Sequence, residues 1–326
     1  MTIRIINLLI LLALVSSCAP QIKKADPVIT IPIILFLTGN QAQTGEEILR
    51  AFEFAKSDFE QSHPSRNVKL LVEDSGDDPK KGLIAYDILK TKGDFPLFVS
   101  TGDAVTAALL PQTQEDGKLL VATTVAAPET SGPNMFRGFL TSTQQGRSIG
   151  KFIASKNKKR VAVLALDNPF SPGFISSLKE AIGKEFVAQE KYQIADLDSK
   201  TQLLKIKDTN PDALVIAGFG PTYPLIFKQA LDVGINAQIY THDAIDVPQY
   251  IDAAGGYDNL QGVILLSASF DLQTPSSEMM KDFANRFEMK HNAKPSLFSG
   301  YAYDTLMITL EALDKCPSTD SQTLSR

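Results

Sequence analysis

The sequence predicts an α/β protein built on parallel sheets, with two sheets and hence two lobes. Three observations predict it. Short apolar runs of strand length recur, of the kind buried on both faces of a parallel sheet. Segments with helical spacing lie between them. Around ten such strand–helix units in 326 residues exceed one ordinary open sheet.

The first run, residues 29–37, is interrupted by Pro32, which predicts an edge-like irregularity there. A helix follows, because Ile48, Phe52, Ala55 and Phe59 recur at helical spacing, with Thr44-x-x-Glu47 read as its capping box. Further strands are expected at 68–72, 118–122, 161–166, 213–217 and 262–266. Ser142-x-x-Gln145 reads as a second capping box, opening a helix with Ile149, Phe152 and Ile153 on one side. Lys156, Lys158, Lys159 and Arg160 close that helix, as cations suit the negative end of its dipole. A third helix runs from about Pro221 through Ile226, Ala230 and Val233 to a stop at Gly234. In such folds a ligand sits beyond the carboxyl ends of the strands. The loops there, 38–45, 100–103, 123–128, 167–173, 218–221 and 241–246, are rich in Gly, Ser, Thr, Asp and aromatic residues.

Composition excludes several classes. With 44% hydrophobic residues and a net charge of -5, the bulk of the chain is not disordered, and nothing supplies the basic face that nucleic acid needs. Two Cys and three His leave almost nothing for a metal centre, and no cofactor is expected. His63, His242 and His291 lack ligand spacing. The glycine-rich phosphate loops and the Gly-x-Ser-x-Gly elbow are missing. His242-Asp243 is the one tempting acid–base pair, but adjacent loop residues point differently. Catalysis is therefore not expected.

The amino terminus addresses the chain to an envelope. Arg4 precedes an apolar run at 8–15, then Ser16 and Ser17, then Cys18. This is the anatomy of a secretory signal, too short to serve well as a spanning helix. The stretch Val15-Ser16-Ser17-Cys18 resembles a bacterial lipobox, in which the Cys thiol is acylated; a plain signal peptide or an uncleaved anchor is the alternative. Acylation would tie the protein to a membrane through Cys18, with residues 1–17 removed and 18–27 as tether.

From Ile29 to Leu313 the chain resembles the type I periplasmic binding proteins, in the leucine/isoleucine/valine-binding branch that feeds ABC importers. The motifs are Leu37-Thr38-Gly39 with Thr44-Gly45, Glu73-Asp74 with Asp77-Asp78-Pro79, Ala126-Ala127-Pro128-Glu129 and Gln145-Gly146. Asn210-Pro211-Asp212, Gln229-Ala230 with Gly234, Ala253-Ala254-Gly255 and Ala302-Tyr303-Asp304 complete the series. Each is weak alone; their shared order carries the resemblance. It implies two Rossmann-like, doubly wound lobes, 28–140 plus 270–326 and 141–269, joined by crossings near 140–143 and 268–271 and closing like a hinged clamp. A third crossing and the family's final strands are expected after the helix ending near Leu313. The polar run from Cys316 to Arg326 holds no such strand, so this part of the first lobe reads as truncated.

The resemblance also implies a site. Asp103 stands where the family places a hydroxyl after the third strand. Thr124 and Ala126 lie on the next loop, Ala126 replacing a Thr. Ser142 replaces an acidic residue at the entry to the second lobe. Phe170 and Phe219 fall at aromatic walls, Asp243 at an acidic position that often holds an ammonium group, and Tyr301 at a lining Tyr. The bland alternatives are an N-cap role for Asp103 and core roles for Phe170, Phe219 and Tyr301. A carboxylate at 103 would repel a ligand carboxylate by roughly 1–4 kcal/mol at near contact. This favours a cationic or neutral polar ligand (an amino acid, a polyamine or another small polar compound) over a branched-chain amino acid. The expected role is capture of that ligand for an ABC permease, outside the cytoplasm. The rival is an envelope lipoprotein of the same fold that regulates a partner such as a peptidoglycan synthase, which Ala19 after Cys18 would permit by allowing outer-membrane sorting.

Overall fold

The computed structural model describes residues 28–128, 130–266 and 277–316. Cys18 and the signal segment, the crossing expected near 268–271 and the one expected after Leu313 lie outside these residues.

Among the described residues ten strands form two sheets of five, and every pairing is parallel. The first sheet has β1 (Val28–Leu35), β2 (Asn67–Asp74), β3 (Leu97–Thr101), β4 (Leu119–Thr123) and β5 (Met135–Arg137), in the order β2-β1-β3-β4-β5. The second has β6 (Val161–Leu166), β7 (Ala188–Tyr192), β8 (Ala213–Ala217), β9 (Gln238–His242) and β10 (Ile264–Leu266), in the order β7-β6-β8-β9-β10. Within each lobe this is the same 2-1-3-4-5 winding, which reverses direction between the first and third strands. The central strands β3, β4, β6 and β8 are buried along their whole length. Of these, β4, β6 and β8 read as apolar runs, whereas β3 ends in the buried polar pair Ser100 and Thr101.

Pro32 does not mark an edge. Strand β1 lies between β2 and β3, with Pro32 opposite Leu71. Its ladder to β3 holds only Ile33 and Ile34, so the missing N–H falls outside that pairing.

Ten α-helices among the described residues connect or flank the strands: α1 (Ala42–Ser62), α2 (Pro79–Lys92), α3 (Asp103–Glu115), α4 (Ser142–Ser155), α5 (Phe170–Ile182), α6 (Lys200–Asp208), α7 (Thr222–Asp232), α8 (Pro248–Ala253), α9 (Glu278–His291) and α10 (Leu297–Lys315). Two capping expectations need correction. Helix α1 starts after Gln41 with no side-chain cap, so Thr44 and Glu47 are not its capping box. Glu47 instead caps α10, 249 residues away, where its Oε1 accepts the Ser296 N–H at 2.9 Å and the Ser299 hydroxyl. On α4 the box is real but one residue earlier, formed by Thr141 and Gln144. Ser142 and Gln145 are thereby left with buried oxygens that have no protein partner.

Helix α10 returns to pack on α1, seating Leu297, Leu306 and Leu310 against the first lobe. Helices α4 and α5 pack most closely, because Gly146 and Gly150 present no side chain. A Cβ at 146 would run into Phe174 O, and one at 150 would sit 2.7 Å from Ala181 Cβ. Gly146→Val is therefore expected to lower stability by about 1–3 kcal/mol, the usual cost of overpacking. Urea denaturation checks this, and an unchanged midpoint would refute the close-packing account.

A single cluster of buried apolar side chains runs from Ile31 and Phe52 in the first lobe to Leu164 and Phe227 in the second. The lobes also touch through polar groups. The Tyr250 hydroxyl of the second lobe accepts the Gly220 N–H at 2.8 Å and meets the Thr44 hydroxyl of the first. The arrangement is closed.

Candidate functional site

Between the lobes lies a cavity of about 160 Å³. The loops beyond β1, β3 and β4 wall it on one side, and those beyond β6, β8 and β9 on the other. These are the carboxyl ends of the strands flanking each point where the winding reverses, as the topology requires. The volume lies below the 300–1,000 Å³ of a drug-sized pocket, so it suits a molecule of few heavy atoms.

Six of the eight ligand positions expected from the sequence come together here: Asp103, Thr124, Ala126, Phe170, Phe219 and Asp243. Ser142 and Tyr301 are not on the wall. Ser142 is enclosed in the first turn of α4, its Oγ about 3.0 Å from where a Cβ at Gly173 would stand. Tyr301 lies behind the wall, edge-on to Phe139 at 4.6 Å. Burial, with Asp243 and Asp304 nearby, pushes its phenol up to about 12.

Asp103 is not the N-cap of α3, a place taken by Gly102. Its carboxylate crosses to the next loop, where Oδ1 accepts the N–H groups of Ala126 and Ala127, each at 2.7 Å. The parallel register of β3 and β4, with Thr101 opposite Thr123, puts the two loops side by side. Burial pushes the Asp103 carboxyl up to about 6, against the two N–H bonds and the Arg137 guanidinium, which favour the charged form; Asp77 opposes it. Arg137 on β5 holds the same loop from behind by donating to the carbonyls of Val125, Ala127 and Thr130. Ala126 returns its carbonyl to the Ser142 N–H at 2.7 Å, coupling this loop to the start of the second lobe.

Phe170 satisfies both readings made of it. It is buried, lies 5.3 Å from Phe174 and 6.1 Å from Phe219, and still forms wall. His242 lies 5.3 Å from Phe170 and 5.6 Å from Tyr223. Its Nε2 accepts the Gly218 N–H at 3.1 Å, and its Nδ1 stands 3.5 Å from Asp243 Oδ1. With Nε2 engaged by the backbone, this pair orients a loop and has no exposed base to offer.

Several wall residues bring polar atoms whose surroundings the sequence did not show. Gln145 is 8% exposed; its Nε2 donates to Leu140 O and its Oε1 has no protein partner. Thr124 sits at φ 55°, and its hydroxyl is likewise enclosed and unpartnered. Asp77 accepts the Gln41 amide at 2.6 Å and is raised by burial. Asp74, in the same acidic turn, orders the loop after β1 through the N–H groups of Leu37, Thr38 and Gly76 and the Thr38 hydroxyl. The only signal for Gln145 was its place in the Gln145-Gly146 motif, which says nothing of where its amide points. Among the described residues no cluster could hold a metal ion, and no helix is long and apolar enough to cross a membrane.

Two lobes of identical winding that enclose carboxylates, amides and phenyl rings define a type I solute-binding protein. The chain belongs to the periplasmic binding protein family, whose model matches residues 28–326. Its relatives lie in the Leu/Ile/Val-binding branch and are binding proteins, not enzymes. The Leu/Ile/Val-binding protein homolog 3 of Brucella melitensis is 25% identical over 304 residues, covering 90% of this chain and 80% of the relative. The substrate-binding protein LivJ of Streptococcus pneumoniae, solved with isoleucine, matches with a TM-score of 0.82 at 20% identity, covering 92% of this chain and 87% of that one. An extracellular ligand binding receptor from Desulfohalobium retbaense matches with a TM-score of 0.77 at 23% identity; the match covers 92% of this chain and about half, 52%, of that one.

Proposed function

We propose that this chain captures a small polar molecule outside the cytoplasm by closing its lobes, 28–140 plus 270–326 and 141–269, and presents it to an ABC permease. In this reading Cys18 carries the acyl chains that hold it to a membrane. One observation carries the capture reading: a cavity shared by both lobes whose wall holds the enclosed, unpartnered oxygens of Gln145 and Thr124. Buried polar atoms without partners are costly unless a ligand or water supplies the bond. A ligand that touches both lobes only when they are closed favours the closed state.

A thermal-shift screen of the full chain against amino acids, amines, amides, sugars and aromatic acids is expected to give a rise with at least one class. Silence across the panel would sink the capture reading. Anchoring is tested separately by expressing the chain and its Cys18→Ala variant in a bacterium and fractionating the cells. The parent is expected in membranes and the variant in the soluble fraction; the same distribution for both would exclude acylation at Cys18.

A further inference from the structure

We propose that the ligand is a small organic cation without a carboxylate, because the chain's own Asp103 occupies the seat that a ligand carboxylate would take. The inference rests on the capture reading above and deepens it.

Anion recognition in a loop-built cleft needs convergent donors. The convergent backbone pair shown at this wall, the N–H groups of Ala126 and Ala127, is already filled by Asp103 Oδ1 at 2.7 Å on both sides. Charged side-chain donors do not replace it. Among the described residues of the wall there is no Lys or Arg. One N–H of each wall glutamine is already engaged, Gln41 with Asp77, Gln145 with Leu140 O and Gln193 with Asp167. A ligand carboxylate would instead meet the carboxylates of Asp77, Asp103 and Asp243, all on the wall. At near contact in an intermediate dielectric each such pair costs on the order of 1–4 kcal/mol.

The same groups suit a cation. The buried Oε1 of Gln145 is an acceptor without a protein partner, on a residue that lines the cavity together with the three carboxylates. Phe36, Phe139, Phe170, Phe219 and Phe298 form the apolar part of the wall. Phenyl faces attract alkylammonium groups and accept the hydrocarbon attached to them. A cavity of about 160 Å³ limits that hydrocarbon to a few carbons. Asp103 thus plays two parts: it supplies negative charge to the cavity, and it removes the donors that would recognise an acid.

The test uses pairs that differ only in the carboxylate: 3-methylbutylamine with leucine, 2-methylpropylamine with valine, and putrescine with ornithine. Titration calorimetry of the full chain at pH 7.5 is expected to give at least tenfold tighter binding of one amine than of its amino acid. In Asp103→Ser, which frees the two N–H groups, that ratio is expected to fall at least tenfold towards the amino acid. Asp103→Asn, which keeps an oxygen on both N–H groups, is expected to weaken the amine at least tenfold without admitting the acid. It also covers the case in which the serine variant fails to fold. Equal or tighter binding of the amino acids by the parent chain overturns the proposal and leaves capture standing. So does a thermal shift given only by neutral or anionic members of the wider panel. Silence across that whole panel overturns both.

Discussion

Replacing Asp103 by Asn is expected to make the unliganded protein more stable at pH 7, by up to roughly 3 kcal/mol, and to flatten its pH dependence between about pH 4 and 6. The carboxyl sits at about 6 in the folded chain against an ordinary 3.8, so between those values the folded state binds the proton that the unfolded state has lost. A group raised on folding contributes its stability below the unfolded value, and that contribution fades as pH rises through the folded one. At pH 7 both states are ionised, and the native chain bears the cost of a buried charge. Asn keeps an oxygen for the N–H groups of Ala126 and Ala127 and removes the charge. Asp77 and Asp304 are also raised by burial, and Arg137 faces Asp103 from β5; all three remain in both chains, so the difference between the two curves isolates Asp103. Urea unfolding at pH 4.5, 5.5, 6.5 and 7.5 measures it, and parallel curves would refute the burial argument. A cleft that keeps an ionised carboxylate at the expense of stability fits the cation proposed above.

Gly173→Ala is expected to separate folding from capture by moving them in opposite directions. Gly173 lies in α5, where Ala is better than Gly by about 1 kcal/mol of helix propensity. In the closed arrangement, however, its new Cβ would lie 2.7 Å from Pro128 Cγ and 3.0 Å from both Pro128 Cδ and Ser142 Oγ. Pro128 belongs to the first lobe and its ring cannot swing aside. Overpacking of this kind costs about 1–3 kcal/mol, and the larger part, against Pro128, falls on the closed state. Affinity for whichever compound the screen identifies should drop by about 5- to 150-fold, at roughly 1.4 kcal/mol per tenfold, while the unliganded chain melts no lower. Unchanged affinity would show that closure does not bring α5 onto Pro128.

The strands that the sequence displayed were those whose environment repeats at every residue. Strands β4, β6 and β8 are buried on both faces, so four to six apolar residues in a row announce them. Strand β7, with the sequence Ala-Gln-Glu-Lys-Tyr, is an edge strand with alternating exposure and carries no such run. Strand β9 ends in Thr241 and His242, polar residues that are buried because their partners come from β8, its loop and α7. The capping boxes show the same limit. A Thr-x-x-Glu pattern is local, but Glu47 is claimed by Ser296 and Ser299, which the fold delivers from far along the chain.

For the site, the sequence alone determined the α/β class, the division into two sheets, the family and most of the loops that meet at the cleft. These follow from periodicity, length and motif order, all of which are properties of the chain read in one dimension. Only the tertiary structure decided that Asp103 turns away from its own helix to hold Ala126 and Ala127, that Gln145 is left with a bare oxygen, and that Tyr301 stands behind the wall. Those outcomes depend on which donors a neighbouring loop brings within about 3 Å, and that is set by the register of β3 against β4 and the closure of one lobe on the other.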